Sequence, residues 1–173
     1  MRLEDLVLTA RRGAPHGLAV EELDAAVREL ELSDEIVAAH TRFDPNGYAR
    51  NLILRTPTFE LLVLCWLPGQ ETVPHDHGGN VGAVRVVRGT LGARLFKAEV
   101  GRPAEVVADD RLPAGEIALA RRDDIHQLGN YAGEELVTIH VYSRPLSVIG
   151  TYSTTTAGRG QTRLRYTVED DLP

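Results

Sequence analysis

From Phe59 onward the chain breaks into short β-rich runs, FELLVLCW, GAVRVV, ARLFKAEV, EIALA and ELVTIHVY, parted by Gly, Pro and Asp-rich turns. Many short strands at near-regular spacing predict a mainly β sandwich or barrel. Ahead of them the period changes: Val20, Leu23, Val27 and Leu30 recur at three- to four-residue spacing in AVEELDAAVREL, the pattern of an amphipathic helix, and the first fifty residues read as helical. Ser33 is a cap for a second helix in SDEIVAAH, with Asp34 and Glu35 well placed against the positive end of its dipole. The tail after Gly150, TYSTTTAGRGQTRL, is rich in Thr and Gly and reads as loop, with RYTV a candidate edge strand. No repeat and no linker composition divides the chain. One domain over residues 1–173 is therefore expected, with a helical segment at 1–50 and a barrel with C-terminal strands at 51–173.

Composition narrows the partners. Hydrophobic residues make up 43% and charged residues 25%, ordinary for a soluble globular chain, and no apolar run reaches the roughly 18 residues of a membrane span. Neither a membrane span nor a signal peptide is expected. A formal charge of -6 sets the surface against nucleic-acid phosphates, so nucleic acid is not an expected partner, and no obligate protein partner is evident. The single cysteine, Cys65, lies within the apolar run LLVLCW; no internal disulfide can form, its thiol is expected in the core, and a reducing cytoplasm fits.

Chemistry concentrates in PGQETVPHDHGGNVGAVRVVRG, residues 68–89. In an extended strand side chains alternate faces, so His75 and His77 point the same way while Asp76 turns opposite. Two imidazoles on one face can clasp one ion. His126, in RRDDIHQLGN, follows a turn-like Asp pair and is placed to face inward from a different strand. Thr138, His140 and Tyr142 alternate in ELVTIHVYS and share one strand face; by pattern alone they read equally as a core strand with one hydrogen-bonded histidine. Arg50, by residue type alone, is a solvated surface arginine. His16 and His40 lie in the helical segment and read as surface or packing residues.

The spacing of Gly69, His75, His77 and Gly89 resembles the first cupin motif, and HQLGN, from His126 to Asn130, resembles the end of the second. The glutamate ligand usual after the His pair is replaced here by Gly82. A three-histidine site is what the thiol dioxygenases among the cupins use. YARNLI, LLVLCW, HDH and TIHVYS resemble, in that order, segments of the cysteine dioxygenase family over roughly residues 45–145. The resemblance implies a cupin barrel holding Fe(2+) on His75, His77 and His126, which converts L-cysteine and O2 to cysteine sulfinate. It makes Arg50 the anchor for the substrate carboxylate, with Tyr48 beside it. Thr138 and His140 become a relay that orients the Tyr142 phenol, so His140 falls to the relay and His126 to the metal.

Physical chemistry accounts for the missing acid. Three neutral imidazoles leave the full dipositive charge on the ion, which draws an anionic thiolate more strongly than a shell containing a carboxylate. Two departures stand out. Gly82 also occupies the position of the cysteine that animal-type relatives can cross-link to the tyrosine, so no thioether can form there. The family's Ser-Pro-Pro is Ser143, Arg144, Pro145 here, which makes Arg144 a candidate second positive charge near the substrate. The alternatives are 3-mercaptopropionate or another small mercapto acid as substrate, and, from a different class, a cupin that binds metal or ligand without turnover. A family branch acting on such mercapto acids tends to carry glutamine at the Arg50 position, which favours cysteine here.

Overall fold

A computed structural model of the chain describes residues 17–169, together with Arg2, Asp5 and Leu8. Among the described residues two helices lead in: α1 (Val20–Glu29) and α2 (Asp34–Ala39). Ser33 caps α2 by accepting from the Ile36 N–H at 3.3 Å, and His40 closes it, its ring Nδ1 2.7 Å from the Ile36 carbonyl. His40 is a buried packing residue, and His16 lies outside the described residues. The helical reading fails after Ala39. Asp44 and Gly47 bridge across a turn in which Asp44 accepts from the Asn46 N–H, and the chain is already extended at Ala49. Asp-Pro-Asn-Gly is turn chemistry that ends a helix locally, whatever follows.

The rest of the described residues form two six-stranded sheets. The first runs in the order β12 (Val168–Glu169), β1 (Ala49–Arg55), β2 (Phe59–Trp66), β9 (Leu136–Ser143), β4 (Val81–Arg88), β7 (Ile117–Ala120). The second runs β11 (Arg159–Arg163), β10 (Val148–Tyr152), β3 (His75–Asp76), β8 (Ile125–Gly129), β5 (Thr90–Lys97), β6 (Glu105–Pro113). This is the mainly β barrel with leading helices that the cupin resemblance implies. The tail is more ordered than its composition suggests: β10 and β11 pair from Val148–Arg163 to Tyr152–Arg159, so loop is confined to the turn between them. In RYTV, Val168 does join an edge, parallel to β1 opposite Asn51. β6 shows no apolar alternation because it is an edge strand largely exposed along its length, paired only with β5.

The apolar run of β2 is explained by burial on both faces. Phe59, Leu61, Val63 and Cys65 pack outward with Val137, Ile139 and Val141 of β9 against Leu23, Ala26, Val27 and Leu30. Leu62, Leu64 and Trp66 turn inward with Leu91, Leu128 and Leu136. The helices thus roof the outer face of the first sheet and free the inner face for a cavity. Arg85 of β4 pins this roof, its Nη1 donating to the Val27 and Leu30 carbonyls at 2.9 and 2.7 Å, groups that the end of α1 leaves open. Charge-assisted hydrogen bonds are worth about 1.5–3 kcal/mol, so Arg85→Met, which keeps the stem, is expected to lower the unfolding free energy by about that amount in a urea titration.

Candidate metal centre

β3 is only two residues long, yet it is held on both sides. Thr151 and Gly150 of β10 face His75 and Asp76, while His126 of β8 lies directly opposite His75. Alternation sends Asp76 outward, where its carboxylate accepts from the Tyr152 hydroxyl at 2.6 Å, from Arg159 Nε and Nη2 at 3.0 and 2.8 Å, and from the Gly78 N–H at 2.8 Å. Gly150 makes room: a Cβ there would meet Arg159 and Asp76 atoms at 2.3–2.6 Å. The clamp leaves His75 and His77 on the inner side.

One ring nitrogen from each of His75, His77 and His126 lies within 4.8 Å of the others. His75 Nδ1 sits 2.9 Å from the Val73 carbonyl, which places its proton on that nitrogen and leaves Nε2 as a lone-pair donor toward the cluster, 3.2 Å from His126 Nε2. Both ring nitrogens of His77 are buried without a hydrogen-bond partner. An orphaned imidazole between two others is costly unless a cation meets it, so the residues present fit a metal ion. Burial is the main cause holding all three rings below the usual histidine range, well below for His77 and His126, where neighbouring imidazoles add to it, while for His75 the Arg50 charge adds to it. They are neutral at pH 7, the state a metal requires.

Inside the barrel, β9 contributes a chain of hydrogen bonds. Trp66 Nε1 donates to Thr138 Oγ1 at 3.0 Å, Thr138 Oγ1 is 2.8 Å from His140 Nε2, and His140 Nδ1 is 2.9 Å from the Tyr142 hydroxyl. The shorter of Thr138's two outgoing contacts directs its proton to His140 rather than to the Leu64 carbonyl at 3.4 Å. His140 Nδ1–H then donates to the phenol oxygen, which leaves the Tyr142 O–H free for the cavity. Burial pushes the Tyr142 phenol far up and, with the Arg50 charge, holds His140 well down, so the whole relay is uncharged. Its end lies beside the cluster, the Tyr142 and His77 rings meeting edge to face at 5.1 Å. Gly82 permits this: a Cβ would fall 2.8 Å from the Tyr142 ring and 3.4 Å from His77.

Tyr48, Arg50, Trp66, His75, His140 and Tyr142 line one tight cavity, with about 10 Å³ of free space, closed by Leu64, Leu128, Leu146 and Ile149. Tyr48 stacks on Trp66 at 4.5 Å. Arg50, far from solvated, is 5% exposed and paired with Glu60 at 3.4 Å. Arg144 is not there. Its backbone turns through φ 75° and its side chain lines a separate depression with Leu18, Asn80 and Arg122. A larger cleft, about 390 Å³, lies around Glu99, Arg102 and Tyr152, and no histidine lines it among the described residues. Cys65 is buried on the opposite face of β2 from Tyr142, its thiol pushed up to about 11 chiefly by burial.

Sequence reading missed three participants: Trp66 as donor to Thr138, Arg159 as clamp on Asp76, and Glu60 beneath Arg50. Only Glu60 left a signal, as the one charge in FELLVLCW.

A family profile described as cysteine dioxygenase type I matches residues 16–155. Cysteine dioxygenase type 1 of Rattus norvegicus is 25% identical over 152 residues, covering 85% of this chain and 76% of the relative. The Homo sapiens protein is 26% identical over the same coverage, and the Danio rerio protein 23% identical over 175 residues, 95% of this chain and 85% of the relative. Among solved structures, the TT1209 protein of Thermus thermophilus is similar in fold, with a TM-score of 0.54 at 19% identity over 66% of this chain and 97% of that one. A Klebsiella pneumoniae protein with a double-stranded β-helix domain gives 0.53 at 21% identity over 78% and 97%.

Two outcomes are expected. Metal analysis of purified variants should find the ion lost from His75→Ala and His126→Ala and retained in His140→Ala. The metal-stripped chain should also lose stability in acid. Because the folded pKa values of the buried histidines lie below the unfolded value of about 6.5, their contribution is complete above that pH. It falls away as pH drops below about 6.5, when the unfolded chain takes up protons that the folded chain refuses, and urea midpoints between about pH 8 and pH 5 measure it.

Proposed function

We propose, given that the chain belongs to the cysteine dioxygenase type I family, that it is a cytoplasmic iron(II) thiol dioxygenase forming cysteine sulfinate from L-cysteine and O2, within a single domain. The observation that carries this reading is the joint lining of one small cavity by a buried guanidinium, an uncharged phenol relay and one edge of a three-histidine cluster. In this reading His75, His77 and His126 hold the iron, and iron(II) held there supplies the redox chemistry that lets dioxygen react with a thiolate.

The chain's own residues do the rest. Three imidazoles bring no negative charge, so the site favours a ligand that arrives as an anion. Arg50 receives the substrate carboxylate; its Nε is buried with no partner of its own, so donor capacity remains after Glu60 has taken one arm. Tyr142, oriented by His140 and Thr138, donates its O–H toward the reacting sulfur and oxygen atoms. Its raised pKa keeps that proton in place at neutral pH. Tyr48, Trp66 and the aliphatic wall exclude water, and the tightness of the cavity favours a small thiol. Both atoms of O2 enter one sulfinate product.

A simple mercapto acid would use the same carboxylate anchor, and the arginine favours cysteine only by the family's habit. Oxygen uptake by the iron-loaded chain against a panel of small thiols distinguishes them, and the absence of uptake with every thiol removes the reading in favour of a non-catalytic metal-binding cupin. Arg50→Gln should lower kcat/KM for cysteine by about one to two orders of magnitude with iron content unchanged, the loss of one charge-assisted bond. Cysteamine, which lacks the carboxylate, should be a poor substrate for the parent and suffer little further loss in the variant. Unimpaired cysteine turnover in Arg50→Gln would remove Arg50 as the anchor.

A further inference from the structure

Glu60 is wholly shielded from water, a placement a carboxylate tolerates only with donors around it. It has three. Oε1 accepts from the Leu146 N–H at 2.9 Å and from Arg50 Nη2 at 3.4 Å, and Oε2 accepts from the Tyr166 hydroxyl at 2.5 Å. Both oxygens engaged by donors is the pattern of an ionised carboxylate. Leu146 comes from the segment after β9 and Tyr166 from the segment before β12, so two separate loops converge on this one side chain. Glu60 does not itself line the cavity; Arg50, directly in front of it, does.

The consequence lies in the charge balance. Among the described residues, Arg50 is the only formally charged side chain lining the cavity. A lone buried guanidinium would attract any small anion, whereas Arg50 with Glu60 behind it is neutral as a pair and presents hydrogen-bond donors while adding no net charge to that of a metal held on the histidines. A ligand that is only a carboxylate adds an uncompensated negative charge to that unit. A ligand with a carboxylate and an ammonium adds none, and its ammonium gains from the Glu60 charge. We propose that Glu60 is a specificity-determining residue that, acting through Arg50, makes the cavity prefer amino-acid carboxylates over simple carboxylates of the same length. The proposal rests on Arg50 as the carboxylate anchor and extends it from which group is bound to which class of molecule carries it. Tyr166 sets the strength of the effect, since its hydroxyl competes with Arg50 for the same carboxylate.

Propionate and L-alanine test this without a thiol. Binding of each is measured by calorimetric titration of the full chain as isolated, with metal content matched between variants. The parent should favour alanine. Glu60→Gln keeps the shape and removes the charge, and should raise propionate affinity relative to alanine by about tenfold, the effect of unmasking one charge across a few ångströms of protein. Tyr166→Phe removes the competing donor, tightens Glu60 on Arg50, and should move the ratio the other way by about two- to threefold. A purely structural Glu60 would weaken both ligands together and leave the ratio unchanged, which overturns the proposal, as does a parent that binds neither ligand. If Glu60→Gln does not fold, the direction of the Tyr166→Phe ratio decides alone. Oxygen uptake with thiols is scored separately: a parent that separates alanine from propionate through Glu60 yet oxidises no thiol keeps this proposal and loses the dioxygenase reading.

Discussion

Burial of β9 on both faces is the constraint from which the rest follows. Bonded to β2 on one side and β4 on the other, this strand has no edge to offer, and alternation divides its residues between two environments. Val137, Ile139 and Val141 go under the helices, while Thr138, His140 and Tyr142 go into the barrel. A slip of one residue would exchange the two sets, burying the relay in an apolar layer and turning valines on the cavity. Register here is therefore fixed by the outer core, and the polar relay inherits its geometry from packing that has nothing to do with chemistry.

The two halves of the site depend on different supports. The relay stands on a long central strand buried on both faces, and Arg50 lies near the start of β1, which is bonded to β2 along its length. The histidine cluster stands on a two-residue strand and one short neighbour. Such a short strand has little intrinsic hold, and the outward Asp76, gripped by Tyr152 and Arg159, supplies what the ladder lacks.

Much of this was legible in the sequence because it depends on period. Alternation alone set His75 and His77 on one side and Asp76 on the other, and gave Thr138, His140 and Tyr142 a common face. The apolar spacing of α1 and the Ser33 cap were equally local. What was not legible was non-local. Nothing near Arg50 announces that Glu60 and Tyr166 meet beneath it, because the three are joined only by the pairing of β1 with β2 and β12. β10 and β11 hid in a Thr and Gly-rich tail because their pairing is set by position beside β3 rather than by apolar residues. Arg144 misled for the opposite reason: adjacency in sequence to the end of β9 suggested nearness to the cavity, and a left-handed turn carries its side chain elsewhere.

The clamp on Asp76 is also the part of the centre most open to the medium. Arg159 is 47% exposed, whereas the Arg50–Glu60 pair is 6% and 0% exposed. Ions in solution screen an exposed pair and scarcely reach a buried one. Rising ionic strength therefore loosens the support of the strand that carries His75 while leaving the Arg50–Glu60 pair in place, so salt separates the two halves of the site by how far each depends on charges that meet the solvent.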